Sequence, residues 1–323
     1  MTMQQRVLAD GTAVSALCLG AMFFGTRTDE ATSFAILDRF VEAGGTLIDT
    51  ADNYAFWIEG GAGGESEAVL GRWLASRNAR DRVKLSSKVG AMPMIPGTSW
   101  QESGEGLSPT AIRSALDGSL RRLGTDRLEV YWAHVEDRTV PLEDTVDAFA
   151  SLTEEGKVGV LGASNHAIWQ VERARAMAGR QGRAGYTCLQ LSHSYLRPRF
   201  DVRPGNHMHG NVTAEVLDYV RTEPDVSLWA YGSLLSGAYT RADKPLAPSY
   251  DHPGTPRRLA MLREVADELG ATPNQVVLAW LLDGEPPVVP VVGASSVEQL
   301  DELLGATELK LDDELRRRLD EAG

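Results

Sequence analysis

Cysteine is almost absent from this chain: 323 residues contain two, Cys18 and Cys188, each inside an apolar run. Neither has a metal-ligand spacing or belongs to a disulfide framework, so both are expected as buried thiols of a reducing compartment. No apolar run approaches a membrane span, and the opening MTMQQRVLADGT has no hydrophobic core of signal-peptide length. These absences predict a soluble, cytoplasmic protein with no membrane partner. Basic residues are in deficit, with 32 Lys and Arg against 45 Asp and Glu, a net charge of −13. Such a field repels phosphate backbones and argues against nucleic acid as a partner, while leaving room for a local basic site for one phosphorylated cofactor. There is no low-complexity linker and no sequence repeat, so residues 1–323 read as a single domain.

What the chain does have is an alternation. Short β-rich runs occur at ALCLG (16–20), TLIDT (46–50), VKLSSK (83–88), LEVYWA (128–133), VGVLGAS (158–164), CLQLS (188–192), VSLWA (226–230) and PVVPVVG (287–293). Between them lie amphipathic stretches such as TSFAILDRFVEAG, SALDGSLRRLG and DTVDAFASLTEEGK, several ending at glycine, a common helix stop. Eight strands each followed by a helix predict an α/β chain folded as a (β/α)8 TIM barrel. The competing open, doubly wound sheet lacks its G-x-G-x-x-G turn after the first strand. Upstream, RVLADGTAVS places Asp10–Gly11 between β-prone flanks, which predicts a hairpin closing the barrel bottom. Two connections are long, 89–109 and 196–213. Both follow C-terminal strand ends, where a barrel builds its site.

Those strand ends carry chemistry. Asp49 ends the second run, Lys88 the third, and His134 follows the fourth, while Tyr54 lies in the loop just past Asp49. Any one of these residues is more simply an ion-pair partner or an amphipathic wall. Four at neighbouring strand ends make a different pattern. A free phenol, with pKa about 10, donates poorly at neutral pH. A nearby ammonium stabilises phenolate and would lower that value, and an acid beside the lysine keeps it charged. Tyr54 would then give a proton to a carbonyl oxygen as hydride reaches its carbon, with His134 hydrogen-bonded to the same oxygen.

The chain resembles the aldo/keto reductase family over nearly its whole length. The resemblance is carried by LCLGAMFFG (17–25), IDTADNYAF (48–56), SSKVG (86–90), YWAH (131–134), EEGKVGVLGASNH (154–166), LQLSHSY (189–195) and VVGASSVEQLDE (291–302). It implies NADPH-dependent reduction of small-molecule aldehydes or ketones, with Asp49, Tyr54, Lys88 and His134 as the catalytic tetrad. It also implies that Ser164, Asn165 and Gln190 hold the nicotinamide carboxamide, a reading preferred to the competing one in which Ser164 and Asn165 cap the next helix. The family's ring-stacking tyrosine is expected three residues after the glutamine, where this chain has His193; Tyr195 is a substitute. Tyr231, Gly232, Ser233 and Leu234 fall in a pyrophosphate loop that is shorter than usual. Gly293, Ser295 and Gln299 fall at the last strand end, where Ser295 and Glu298 match a capping box and a helix N-terminus attracts phosphate. No basic residue lies between Gly293 and Leu304, and Leu303 replaces the asparagine expected to touch adenine. These departures weaken the preference for NADPH over NADH that the resemblance implies: NADP(H) is the expected cofactor, with NAD(H) as the alternative.

Phe24, Trp57 and Trp100, together with Phe23, Met92 and Met94, fall in loops after the first three strands and are candidates for an apolar substrate pocket. The last helical pattern, LDDELRRRLDEAG, is followed by no long arm, which suggests an open mouth tolerant of bulky carbonyl compounds. The His-x-His of HMHG (207–210) sits among Pro and Gly without a carboxylate pair, so no metal site is expected; His166 reads as a helix-start residue. Two other functions compete: a cofactor-binding regulatory module with slow turnover, which the intact tetrad opposes, and a metal-dependent barrel hydrolase, which has no strand-borne ligand set. Nothing in the sequence fixes an oligomeric state.

Overall fold

The computed structural model describes residues 3–199, 201–202 and 210–323. The hairpin comes first, with β1 (Gln5–Val7) antiparallel to β2 (Ala13–Ser15). Eight parallel strands follow: β3 (Cys18–Gly20), β4 (Leu47–Asp49), β5 (Lys84–Val89), β6 (Leu128–Ala133), β7 (Val158–Ser164), β8 (Tyr186–Ser192), β9 (Ser227–Tyr231) and β10 (Val288–Val292). They close in sequence order, β10 pairing back to β3, which is the TIM barrel expected from the alternation. Each of the eight β-rich runs of the sequence overlaps one of these strands.

The helices form from ordinary local signals. Asp29 caps α1 (Glu30–Glu42) by accepting from Thr32 N at 2.8 Å. α2 (Glu65–Arg77) and the short α3 (Trp100–Ser103) precede α4 (Pro109–Leu123), which has Ser108 as its cap, Pro109 in its first turn and a left-handed Gly124 at its end. After them come α5 (Leu142–Glu154), α6 (Ile168–Arg180), α7 (Ala214–Thr222), α8 (Gly254–Leu269), α9 (Pro273–Leu282), α10 (Val297–Leu304) and α11 (Asp313–Glu321).

Side-chain alternation sorts each strand into two faces. Outward residues such as Ile48, Leu85, Tyr131, Leu161, Leu189 and Leu228 join the large core under the helices. Inward residues, Cys18, Leu47, Val130, Trp132, Val160, Cys188, Trp229 and Val289, fill the barrel, and Leu8 and Val14 of the hairpin region pack against them. The barrel bottom is thus closed by the hairpin. Both cysteines are free and buried in this interior layer. Trp132 and Trp229 meet edge to face at 5.0 Å. Gly162 makes room for them, since a Cβ there would lie 2.1 Å from the Trp132 ring. The same period of two continues upward and places Gly20, Asp49, Lys88, Ser164, Gln190 and Tyr231 on the inward face at the C-terminal rim.

Among the described residues, no helix is long and apolar enough to cross a membrane. His207 and His209 lie outside the described residues. Among those described, no group of three or more His, Cys, Asp or Glu could hold a metal ion.

Candidate active site

The rim opens into a cavity of about 1500 Å³. Asp49, Tyr54 and His134 line it, and Lys88 lies fully buried beneath Tyr54. Lys88 Nζ forms an ion pair with Asp49, donates to the Thr50 carbonyl at 2.7 Å and to Tyr54 Oη at 3.1 Å. Asp49 is held from its other side by the Ser86 hydroxyl and by Gln190 Nε2 at 3.3 Å. The His134 ring meets the Tyr54 ring nearly perpendicularly at 5.8 Å. All four groups expected from the sequence therefore converge.

The electrostatics depart from expectation in one respect. The Tyr54 phenol is raised, not lowered, relative to its ordinary value: burial is the largest cause, and Lys88 offsets only part of it. The sequence shows the lysine but not how dry the pocket is. Burial opposes the charge on Lys88, yet Asp49 and then Tyr54 hold its ammonium above its ordinary range.

Ser164, Asn165, Gln190, Tyr231, Gly232, Ser233, Leu234, Gly293, Ser295 and Gln299 all line the same cavity. Asn165, with a left-handed backbone at φ 59°, donates from Nδ2 to the His134 carbonyl and to Ser164 Oγ, each at 3.0 Å. It also accepts from Tyr231 Oη at 2.7 Å. Neither Ser164 nor Asn165 caps a helix, because the cap of α6 is Ala167. His166 likewise lies before the helix start, buried, with Nδ1 bonded to the Ser164 carbonyl at 2.7 Å.

His193 is not among the cavity-lining residues. Its ring packs on Trp280 at 5.6 Å, and burial followed by nearby Arg197 lowers its pKa to about 4. Tyr195 is no substitute: it is fully buried and donates to the Leu319 carbonyl at 3.0 Å. Both follow Gln190 in a segment that turns away from the rim. The flat ring that reaches the cavity is Tyr231, one strand over. The expected capping box does not form. Ser296 caps α10 by accepting from Gln299 N at 3.2 Å, while Gln299 Oε1 accepts from Ser295 N at 2.8 Å. Gln299 thus reaches the residue before the cap and not the Ser296 N–H, so no reciprocal box closes at either serine, and the Glu298 side chain lies against Ser296.

On the other wall, Phe23, Phe24, Trp57 and Trp100 line the cavity, joined by Phe56; Met92 and Met94 do not. Phe24 is nearly buried and contributes mainly packing, while Trp57 stands edge-on to both Tyr54 and Phe56. Sequence reasoning missed Arg241 and Lys244. Both line the cavity from the segment after β9. The missed signal was RADK at 241–244, beyond the window around α10 where basic residues were sought.

The profile of the Aldo/keto reductase family matches residues 16–323. The chain belongs to that family. As an aldo/keto reductase it is an oxidoreductase acting on carbonyl compounds. It is 34% identical over 315 residues to the uncharacterized oxidoreductase YrpG of Bacillus subtilis, covering 96% of this chain and 93% of that one. It is 31% identical to norsolorinic acid reductase stcV of Emericella nidulans, covering 94% of this chain and 77% of that one. It is 28% identical to aryl-alcohol dehydrogenase GME11368 of Pestalotiopsis microspora, covering 95% and 79%.

Proposed function

We propose that this aldo/keto reductase uses NADP(H) to reduce aldehydes or ketones, aromatic ones by preference, with Tyr54 as proton donor. The observation that carries this reading is the buried Asp49–Lys88 pair set 3.1 Å beneath Tyr54 Oη at the wall of a large cavity.

The residues present fit a nicotinamide dinucleotide. A Cβ on Gly293 would meet nothing within 4 Å, so the wall there is open, and Gly232 turns at φ 67°, a conformation that suits glycine. Ser164, Asn165 and Gln190 offer the hydroxyl and amide groups that a neutral carboxamide requires. Because Asn165 is heavily engaged, its main role is to orient Ser164, His134 and the Tyr231 ring. That ring gives a flat ligand its stacking surface. Gly232, Ser233 and Leu234 approach phosphate through backbone, Ser295 and Gln299 border the start of α10, and Arg241 and Lys244 supply positive charge. Lys244, with Arg241 beside it ion-paired to Asp243, favours NADP(H) over NAD(H).

Bound reduced nicotinamide supplies the hydride. Tyr54 holds its proton at neutral pH because burial keeps it neutral, and it donates from Oη to the carbonyl oxygen. Lys88 stabilises the phenolate left behind, in a dry site where one ammonium counts for much. Asp49 keeps Lys88 charged and points it at Tyr54. His134 borders the same oxygen and fixes the carbonyl's orientation. Trp57, Trp100 and Phe23 present aromatic surface to the rest of the substrate. The name of one relative, an aryl-alcohol dehydrogenase, leans the same way.

The test is to titrate NADPH and NADH by fluorescence quenching, then to screen carbonyl compounds for oxidation of the tighter binder. NADPH binds more tightly, Arg241→Ala weakens it by about tenfold, and benzaldehydes turn over faster than short aliphatic aldehydes. Failure of both dinucleotides to bind would end this reading.

A further inference from the structure

Next to the tetrad lies a buried carboxyl that the reduction does not use. Asp52, two residues before Tyr54, is 2% exposed, and its Oδ1 has no hydrogen-bond partner. Its carboxyl lies beside that of Glu105, the charged group that acts on it most strongly. An ionised carboxylate buried without a donor is strongly disfavoured, and two carboxyls share such a site only when one keeps a proton. Glu105 is anchored on its other side: its Oε1 accepts from the backbone N–H of Gly90 at 2.8 Å and of Met92 at 3.4 Å. The pair bridges two parts of the cavity wall. Asp52 belongs to the turn of Tyr54, and Glu105 to the long connection that carries Trp100. Asn53 Nδ2 donates to the Ala91 carbonyl at 3.0 Å across the same seam.

We propose that Asp52 and Glu105 share one proton, and that this bond is a positioning clasp holding residues 89–108 against the Tyr54 turn and so setting the cavity mouth at Trp100. Asp52 is the protonated partner and donates to Glu105. Other groups face the pair from every side. Glu67 of α2 adds negative charge and Arg122 of α4 opposes it, while Tyr54 and Tyr131 are neutral phenols nearby. Asp137, after β6, accepts from Leu107 N at 2.8 Å. The Lys88 ammonium is turned to Asp49, and it is the Lys88 carbonyl that accepts from Asp52 N at 3.3 Å. Burial first, then Glu105 and Glu67, raise the Asp52 carboxyl well above the usual carboxylate range. A raised folded-state value means the clasp is intact at low pH and is lost as pH rises through that value.

The effect on substrate entry rests on the reductase reading; the clasp itself does not, and hydrogen exchange separates the two. Amide exchange is measured on the wild type, Asp52→Asn and Glu105→Ala from about pH 5 to about pH 9, corrected for intrinsic exchange. In the wild type, protection of the Gly90 and Met92 amides falls about tenfold per pH unit once the pair ionises. Asp52→Asn stays protected throughout, because its amide donates at every pH. Glu105→Ala is unprotected throughout. KM for a bulky aromatic aldehyde rises over the same interval in the wild type but not in Asp52→Asn, with kcat unchanged. Asp52→Asn protection that falls with pH as the wild type's does, or an Asp52→Ala variant as protected as the wild type at about pH 5, overturns the clasp. The expected protection pattern in a protein that oxidises no NADPH supports the clasp and removes the reductase reading.

Discussion

At the scale of single residues, the site is a buried cation set beneath a half-buried phenol. Lys88 has no exposed surface, and its charge survives because Asp49, the Thr50 carbonyl and Tyr54 all face it. Replacing Lys88 with methionine strands Asp49 without its counter-charge. We expect a loss of about 3–5 kcal/mol in denaturant unfolding and a kcat reduced by about 10²–10⁴-fold. Tyr54 and Lys88 are both raised above ordinary values, so each stays protonated across neutral pH. The kcat of reduction should hold level through neutral pH and fall only above about pH 10; a steep loss of kcat near pH 7 would contradict this protonation state. The four groups were legible in the sequence because strand alternation carries Asp49 and Lys88 to the inward rim. The sign of the Tyr54 shift was not, because burial is a property of the assembled pocket and no residue pair reveals it.

At the scale of elements, the strands and the hairpin were legible from short β-rich runs, glycine stops and one Asp-Gly turn. The path of the chain after a strand was not. Gln190 sits inward at the end of β8, but His193 and Tyr195 follow a segment that leaves the rim, so counting three residues onward picked a ring that packs on Trp280. Arg241 and Lys244 escaped notice for the same reason, since they reach the cavity only through the fold of the β9 connection. Packing inside the barrel makes its own demand. Gly162 lies under the Trp132 ring, where a Cβ would stand 2.1 Å from it. Gly162→Ala should destabilise by about 1–3 kcal/mol in chemical unfolding, and adding Trp132→Leu should recover part of that loss. A neutral Gly162→Ala would mean that the ring packs elsewhere.

At the scale of the molecule, a closed sheet brings residues from across the sequence to one rim: Asp49 and Gln190 are hydrogen-bonded although 141 positions apart. An overall charge of −13 surrounds a cavity whose wall includes Arg27, Arg241 and Lys244. A negative protein can thus present a local positive wall to a phosphorylated ligand. The hydrogen bond between Lys88 and Tyr54 joins this architecture to its chemistry, and a pre-steady-state comparison tests it most directly. Wild type and Tyr54→Phe, each loaded with NADPH, are mixed rapidly with an aromatic aldehyde, and NADPH oxidation is followed over a single turnover. NADPH should quench protein fluorescence equally in both, while the phenylalanine variant oxidises it about 100-fold or more slowly. Oxidation by Tyr54→Phe within a few-fold of the wild-type rate would show that the proton comes from elsewhere.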